Sequence, residues 1–156
     1  MIASYTAHGS VELKTKNISV VLANGVSVGS QQIAGPGEYD VQGVQCEATA
    51  YEGGIGYFVR VEDMVTAYLT KVDATASKLD GITEAAILVL DVRSDDTNES
   101  VKALIKAVEP SYVLLAGAGA TKEMAAALGF PLTEGSSLKV TKAGLPLEGT
   151  SLILAD

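Results

Sequence analysis

Histidine is almost missing from this chain: His8 stands alone in 156 residues. A catalytic zinc centre draws on about three protein ligands, histidine foremost, so a histidine-built metal site is excluded and no metal or other cofactor is expected. Cysteine is equally scarce. Cys46 has no second thiol to pair with, which rules out an intrachain disulfide and suits a reducing, cytoplasmic setting. Tryptophan is lacking altogether, and charged residues make up only 19% of the chain. The 11 basic residues are scattered rather than clustered, and the formal net charge is -8, which excludes a phosphate-backbone partner and hence nucleic acid. No apolar run is long enough to cross a bilayer, and Met1-Ile2-Ala3-Ser4-Tyr5 lacks the basic and apolar regions of a signal peptide. No membrane association is therefore expected.

What is present is aliphatic. Hydrophobic residues reach 47%, too many for a disordered chain and enough to bury a substantial core. With no internal repeat and no linker-like stretch, residues 1–156 read as one domain. Low charge density and high apolar content also leave surface for contacts between subunits, so a homo-oligomer is expected.

The first half reads as strands. Val11-Glu12-Leu13-Lys14 alternates apolar with polar, and Ile18 to Leu22 is rich in β-branched residues. Asn24-Gly25 is a hairpin turn, followed by Val26-Ser27-Val28. Tyr39, Val41 and Val44 read as one strand continuing through Cys46, and Tyr57–Val61 and Met64–Leu69 flank an acidic turn at Glu62-Asp63. The second half changes period. Ala74 to Leu79 fits a short helix stopped near Gly81, and Ile87–Leu90 is a strand buried on both faces. Val101, Leu104, Ile105 and Val108 recur at helical spacing, with Asp95, Asp96 and Thr97 as caps and Glu99 in capping-box spacing from Asp96. Tyr112–Leu115 completes a strand–helix–strand crossover. Thr121 caps a helix from Lys122 to Leu128 closed by Gly129, and Leu138–Val140 and Ser151–Leu154 are final short strands.

Several residues have side chains suited to chemistry, each with a plainer alternative. His8 titrates near neutrality and is a candidate acid–base group, or a strand-end histidine bonded to backbone. Cys46 has no basic neighbour to make it nucleophilic and reads as a packed sheet residue. Glu38 and Asp40 share one strand face, as an acid–base or cation-binding pair; alternatively Glu38 satisfies the amides of the preceding turn. Asp91, Asp95 and Asp96 follow a buried strand, near an edge where α/β sites form, although capping accounts for the last two. Gly117-Ala118-Gly119-Ala120-Thr121-Lys122 joins a strand to a helix. Gly117, Gly119 and Lys122 there could hold a small anion, or the stretch is simply a tight turn.

The most distinctive string is Gly35-Pro36-Gly37-Glu38-Tyr39-Asp40-Val41 with Gly43-Val44. Together with Tyr5, His8 and Val11-Glu12-Leu13, the paired strands at Tyr57–Val59 and Val65–Leu69, and Val101–Pro110 leading to Tyr112–Leu115, it resembles the metallo-β-lactamase-like superfamily. The similarity is to the compact metal-dependent hydrolases related to ascorbate-6-phosphate lactonase, and it runs through most of the chain. The resemblance implies an α/β fold, a reduced four-layer αββα sandwich with mixed β-sheets inside and helices outside. It also implies a zinc site, and here the chain departs. The family's His-x-His-x-Asp-His segment belongs between Leu22 and Ile33 and is missing. Lys71 stands near the metal-bridging carboxylate, with Asp73 as the acid if the alignment slips, and Gly117 stands where a late histidine ligand belongs. The resemblance thus implies a degenerate, metal-free member: a non-catalytic interaction or structural module that self-associates. The alternative is a small-molecule, anion-binding protein or residual metal-independent hydrolase using the old cleft, with Lys71, His8 and the Gly117–Gly119 loop around it.

Overall fold

Alternation in the first seventy residues decides which side chains the strands bury. A computed structural model describes residues 1–6, 9–133 and 135–155. In chain order the strands are β1 (Ile2–Tyr5), β2 (Val11–Lys14), β3 (Ser19–Leu22), β4 (Val26–Val28), β5 (Gln31–Ile33), β6 (Gly37–Val41), β7 (Val44–Tyr51), β8 (Gly54–Val61) and β9 (Met64–Leu69). After two 3₁₀ segments (Ala74–Lys78 and Ile82–Glu84) come β10 (Ala85–Asp91), helix α1 (Asn98–Val108), β11 (Tyr112–Ala116), helix α2 (Lys122–Leu128), β12 (Leu132–Thr133), β13 (Ser137–Lys139) and β14 (Ser151–Leu154). No helix among them is long and apolar enough to cross a membrane.

The strands form two sheets. One is six-stranded and antiparallel, in the order β13-β1-β2-β3-β4-β5. The other is eight-stranded and mixed, in the order β12-β14-β11-β10-β9-β8-β7-β6: an antiparallel meander from β6 to β9, then parallel pairings from β9 to β12. Between the sheets, Val11, Leu13, Val20, Leu22, Val26 and Val28 meet Val59, Tyr57, Tyr68, Ile87, Val89 and Leu114. On the other face of the eight-stranded sheet, Phe58, Leu69, Leu88, Leu90, Val113 and Leu115 pack beneath Val101, Leu104 and Ile105 of α1 and Met124 and Leu128 of α2. Strand β10 is covered on both sides, which is why Ile87–Leu90 is an unbroken apolar run.

Of the four layers expected, the described residues build three: sheet, sheet and helix. The outer face of the six-stranded sheet carries exposed or half-exposed Glu12, Lys14, Ser19, Val21, Ser27 and Gln32, and no described helix covers it. Such a face stays wet because alternate residues are polar.

Local expectations hold where short-range chemistry decides. Thr121 caps α2 by accepting from the Met124 amide at 3.1 Å, and Gly129 closes it in the left-handed region. Two readings need correction. Tyr39 to Cys46 is not one strand: Gln42 (φ 52) and Gly43 (φ 82) form a hairpin turn between β6 and β7. The X-Gly pair was the overlooked signal. Of the caps expected for α1, Thr97 is the one used, its Oγ1 accepting from the Ser100 amide; the capping-box spacing from Asp96 is not, and the Asp96 carboxylate accepts from the Arg93 amide at 2.7 Å.

One core position is out of keeping with its surroundings. Thr66 on β9 is fully buried, and its hydroxyl has no hydrogen-bond partner among the described residues. A buried unsatisfied hydroxyl costs about 1–3 kcal/mol. Thr66→Val keeps the shape and removes the cost, so it is expected to stabilise the protein by about 1 kcal/mol and raise Tm by about 2–4 °C. Thermal and urea unfolding check this, and an unchanged or lower Tm would show that the hydroxyl is satisfied.

Candidate functional site

In open α/β sheets, sites form at the carboxyl ends of parallel strands, so that rim is where function is sought. Here β9 ends in Leu69-Thr70-Lys71, β10 in Asp91-Val92 and β11 in Ala116-Gly117. Facing them from the six-stranded sheet are Tyr5, at the end of β1, and Asn24, in the β3–β4 turn.

Two tyrosine hydroxyls tie the sheets together at this rim. The Tyr5 hydroxyl reaches across to the Leu115 and Ile153 carbonyls, 2.9 Å from each, and donates to them as a shared bond. In the opposite direction, the Tyr68 hydroxyl accepts from the Asn24 amide at 3.0 Å. Tyr68 also stacks on Tyr57, with ring centroids 6.0 Å apart and planes 20° from parallel. Burial drives both hydroxyls to resist ionisation: Tyr68 is pushed up to about 12 despite the Asn24 bond, and Tyr5 is raised further despite its bond to Leu115.

The residues expected at a site are spread around this rim in structural roles. The Lys71 amide donates to the Tyr51 hydroxyl at 2.9 Å and its carbonyl accepts from it, while its ammonium lies over Gly53, 2.6 Å from where a Cβ there would sit. Asp73 caps the Ala74–Lys78 turn, accepting from the Thr75 amide at 2.9 Å and hydroxyl at 2.6 Å; those bonds hold its carboxyl below the usual range. Gly117 and Gly119 press against the backbone of Val92 and Arg93. Three amides of that stretch are spent within the chain: Gly119 donates to Val92 at 2.8 Å, Ala120 to Gly117 at 3.2 Å and Thr121 to Gly119 at 2.9 Å. Lys122 is exposed as the first residue of α2. His8 lies outside the described residues. Asp91 is half-buried at the end of β10, and burial raises its carboxyl, with Arg93 opposing and Asp96 adding to the shift.

This donor set does not fit a zinc ion. Among the described residues no three His, Cys, Asp or Glu side chains converge to hold a metal. The rim's carboxylates, Asp73 and Asp91, are joined there by a lysine and a glycine and by no third ligand among the described residues, so no chemical step is derived through a metal.

The Gly35-Pro36-Gly37-Glu38-Tyr39 string forms the connection from β5 to β6. Gly35 (φ 80) and Gly37 (φ 151) hold conformations that favour glycine. Its brace is Tyr39, whose hydroxyl lies 2.8 Å from both the Ala34 and Gly35 carbonyls and donates to them. Glu38, given that role from sequence, is exposed instead. The reason is the pleat: Tyr39 points to the inter-sheet side with Cys46, whereas Glu38 and Asp40 point to the other face. Cys46 is buried, and burial foremost, with Glu47 adding, pushes its thiol up to about 11, so it is no nucleophile at neutral pH.

The sheet face bearing Glu38 and Asp40 holds a concavity that sequence reading only half anticipated. A groove of about 480 Å³ lies beside β6, walled by Glu38, Asp40 and Glu47 on one side and by Asp80 and Glu84 on the other, with Arg60 among them. Phe58 and Val65 line it. Sequence reading paired Glu38 with Asp40 but could not bring Asp80 and Glu84 to them.

No family model matches the chain, and no curated protein matches it in sequence. In three dimensions it is similar to a Thermotoga maritima protein solved as a "putative Zn-dependent hydrolase of the metallo-beta-lactamase superfamily", with a TM-score of 0.71 over 98% of this chain and 97% of that one, at 15% identity. That likeness is one of fold: the chain is built on the metallo-β-lactamase-like architecture.

Proposed function

We propose that this protein is a non-catalytic, metal-free relative of the metallo-β-lactamase-fold hydrolases, working in the cytoplasm as a self-associating interaction or structural module. The Gly35–Val41 string supports descent from the compact branch related to ascorbate-6-phosphate lactonase. The observation that carries the reading is the state of the rim. Tyr5 and Tyr68 bridge the two sheets there, and the resemblance in sequence puts Lys71 and Gly117 at positions where the family carries ligands. A hydrolase needs a nucleophile or an activated water within reach of an acid–base group. Here the hydroxyls are bonded to backbone and hold their protons at neutral pH. The anion-binding alternative gains little from the Gly117–Gly119 loop, whose Gly119 amide already donates to Val92, as the Ala120 and Thr121 amides that follow donate within the loop.

Protein purified without chelator and then exposed to zinc should carry no stoichiometric metal by elemental analysis; about one ion per chain would overturn the reading. Light scattering should report a mass above that of one chain, and a strictly monomeric protein would remove self-association.

A further inference from the structure

The eight-stranded sheet ends in an open edge at β6, which pairs with β7 on one side and with nothing described on the other. An unpaired strand edge is a template for another strand, and proteins guard such edges with charge. Around this one the charge is nearly all negative. On the groove face Glu38 sits directly opposite Glu47, and Asp40 opposite Gln45, which in turn faces Arg60. Like charges placed across a strand pair are destabilising, so the Glu38–Glu47 pair weakens the sheet it stands on. None of the groove's five carboxylates forms an ion pair among the described residues.

Two occupants are excluded by this arrangement. A point cation fails because no three carboxylates converge closely enough to hold a metal ion. A second copy of β6 fails because pairing would set Glu38 and Asp40 against the same two acids. The charge is instead spread along the strand and across the groove to Asp80 and Glu84, with Phe58 and Val65 between.

From this we infer that the open edge of β6 docks an extended basic segment of another protein, which adds as a ninth strand beside the acidic groove. Its backbone pairs with the free edge of β6. Alternate lysines or arginines face Glu38 and Asp40, the carboxylates on the strand it would pair with, and the intervening residues lie on the Tyr39 side. The inference rests on the reading of the chain as an interaction module, but it stands on different residues from the rim, so the two fail separately. Metal uptake would overturn the module reading without touching the groove, and loss of peptide binding would overturn the groove without touching the rim.

The test uses a fluorescent synthetic peptide of alternating lysine and valine, long enough to span β6, titrated with the whole protein at low and moderate salt. Binding is expected to weaken with salt, and Glu38→Lys with Asp40→Lys is expected to reduce affinity about tenfold or more. Asp95→Lys with Glu123→Lys makes the same change in net charge on exposed positions elsewhere and should leave affinity within about twofold. A peptide alternating lysine and proline carries the same charge but cannot pair with an edge, so it should bind about tenfold more weakly. Absence of binding by the lysine–valine peptide, equal binding by the lysine–proline peptide, or equal loss in the charge-matched control would each overturn the proposal.

Discussion

Gly119→Ala is expected to lower stability by about 3–5 kcal/mol, a third or more of what a domain this size has to lose. A Cβ at Gly119 would fall inside 3.0 Å of the Arg93 carbonyl oxygen and carbon, a separation real Cβ atoms do not show. Those are backbone atoms and cannot rotate away. Relief would require the loop after β11 to move off the loop after β10, breaking the Gly119 amide bond to the Val92 carbonyl at 2.8 Å. Gly117→Ala should be at least as costly, because its Cβ would crowd Val92 backbone and the Asp91 carboxylate while φ is 89°. Gly81 provides the control. Its φ is also positive, at 81°, but nothing lies within 4 Å, so Gly81→Ala should cost only the backbone term of about 1 kcal/mol. Urea unfolding of the three variants checks the ranking. A Gly119→Ala protein within about 1 kcal/mol of wild type would mean the two loops are not packed as described.

The second large effect is alkaline. Tyr68 is raised from 10.0 to about 12, and Tyr5 is raised beyond that, in both cases because burial penalises the phenolate. The unfolded chain therefore releases these protons first. Stability is untouched below the unfolded value and falls as pH rises from about 10 through about 12, at roughly 1.4 kcal/mol per pH unit for each tyrosine. Together they remove on the order of 5 kcal/mol across that window, enough to unfold a domain of ordinary stability. Cys46, raised from 9.0 to about 11, starts a shallower decline one unit earlier. Tyr68→Phe and Tyr5→Phe should each flatten the slope above pH 10 by about one proton's worth. At neutral pH each should cost about 1–2 kcal/mol, since the Asn24 amide loses its acceptor and the Leu115 and Ile153 carbonyls lose their donor. Unfolding free energy measured by denaturant from pH 7 to 12 reads both effects. A Tyr68→Phe protein with the wild-type alkaline slope would mean that Tyr68 is not buried as a neutral phenol.

These two results bear on function as well as stability. The hydroxyls whose burial makes the rim costly to ionise are the ones that bridge the sheets where a hydrolytic site would need water and a mobile proton. The tightness of the Gly117–Gly119 turn is likewise the reason the Gly119 amide, bonded to the Val92 carbonyl, is not free for an anion. A loop that reads as phosphate-binding from its glycines can equally need them for close approach of two backbones, and spacing alone does not separate the two.

Much was legible from the residues in order. Alternation at Val11–Lys14 and Ser19–Leu22, the continuous run at Ile87–Leu90, the helical spacing of Val101, Leu104, Ile105 and Val108, and the Thr121 cap all depend on neighbours within a few positions. The scarcity of histidine is read by counting alone. Tertiary structure decided the rest, because the deciding partners are far apart in sequence. Tyr5 meets Leu115 and Ile153 across 110 and 148 positions, and Asn24 meets Tyr68 across 44. Which side of the pleat Tyr39 and Glu38 take follows from the β6–β7 hairpin, whose Gln42-Gly43 turn interrupts what the residue pattern presents as one strand. Asp80 and Glu84 join Glu38 and Asp40 only because the 3₁₀ segments return over the sheet face. Short-range chemistry thus settled the elements. What fills the rim, and what lies open beside β6, was settled by long-range packing that no local pattern encodes.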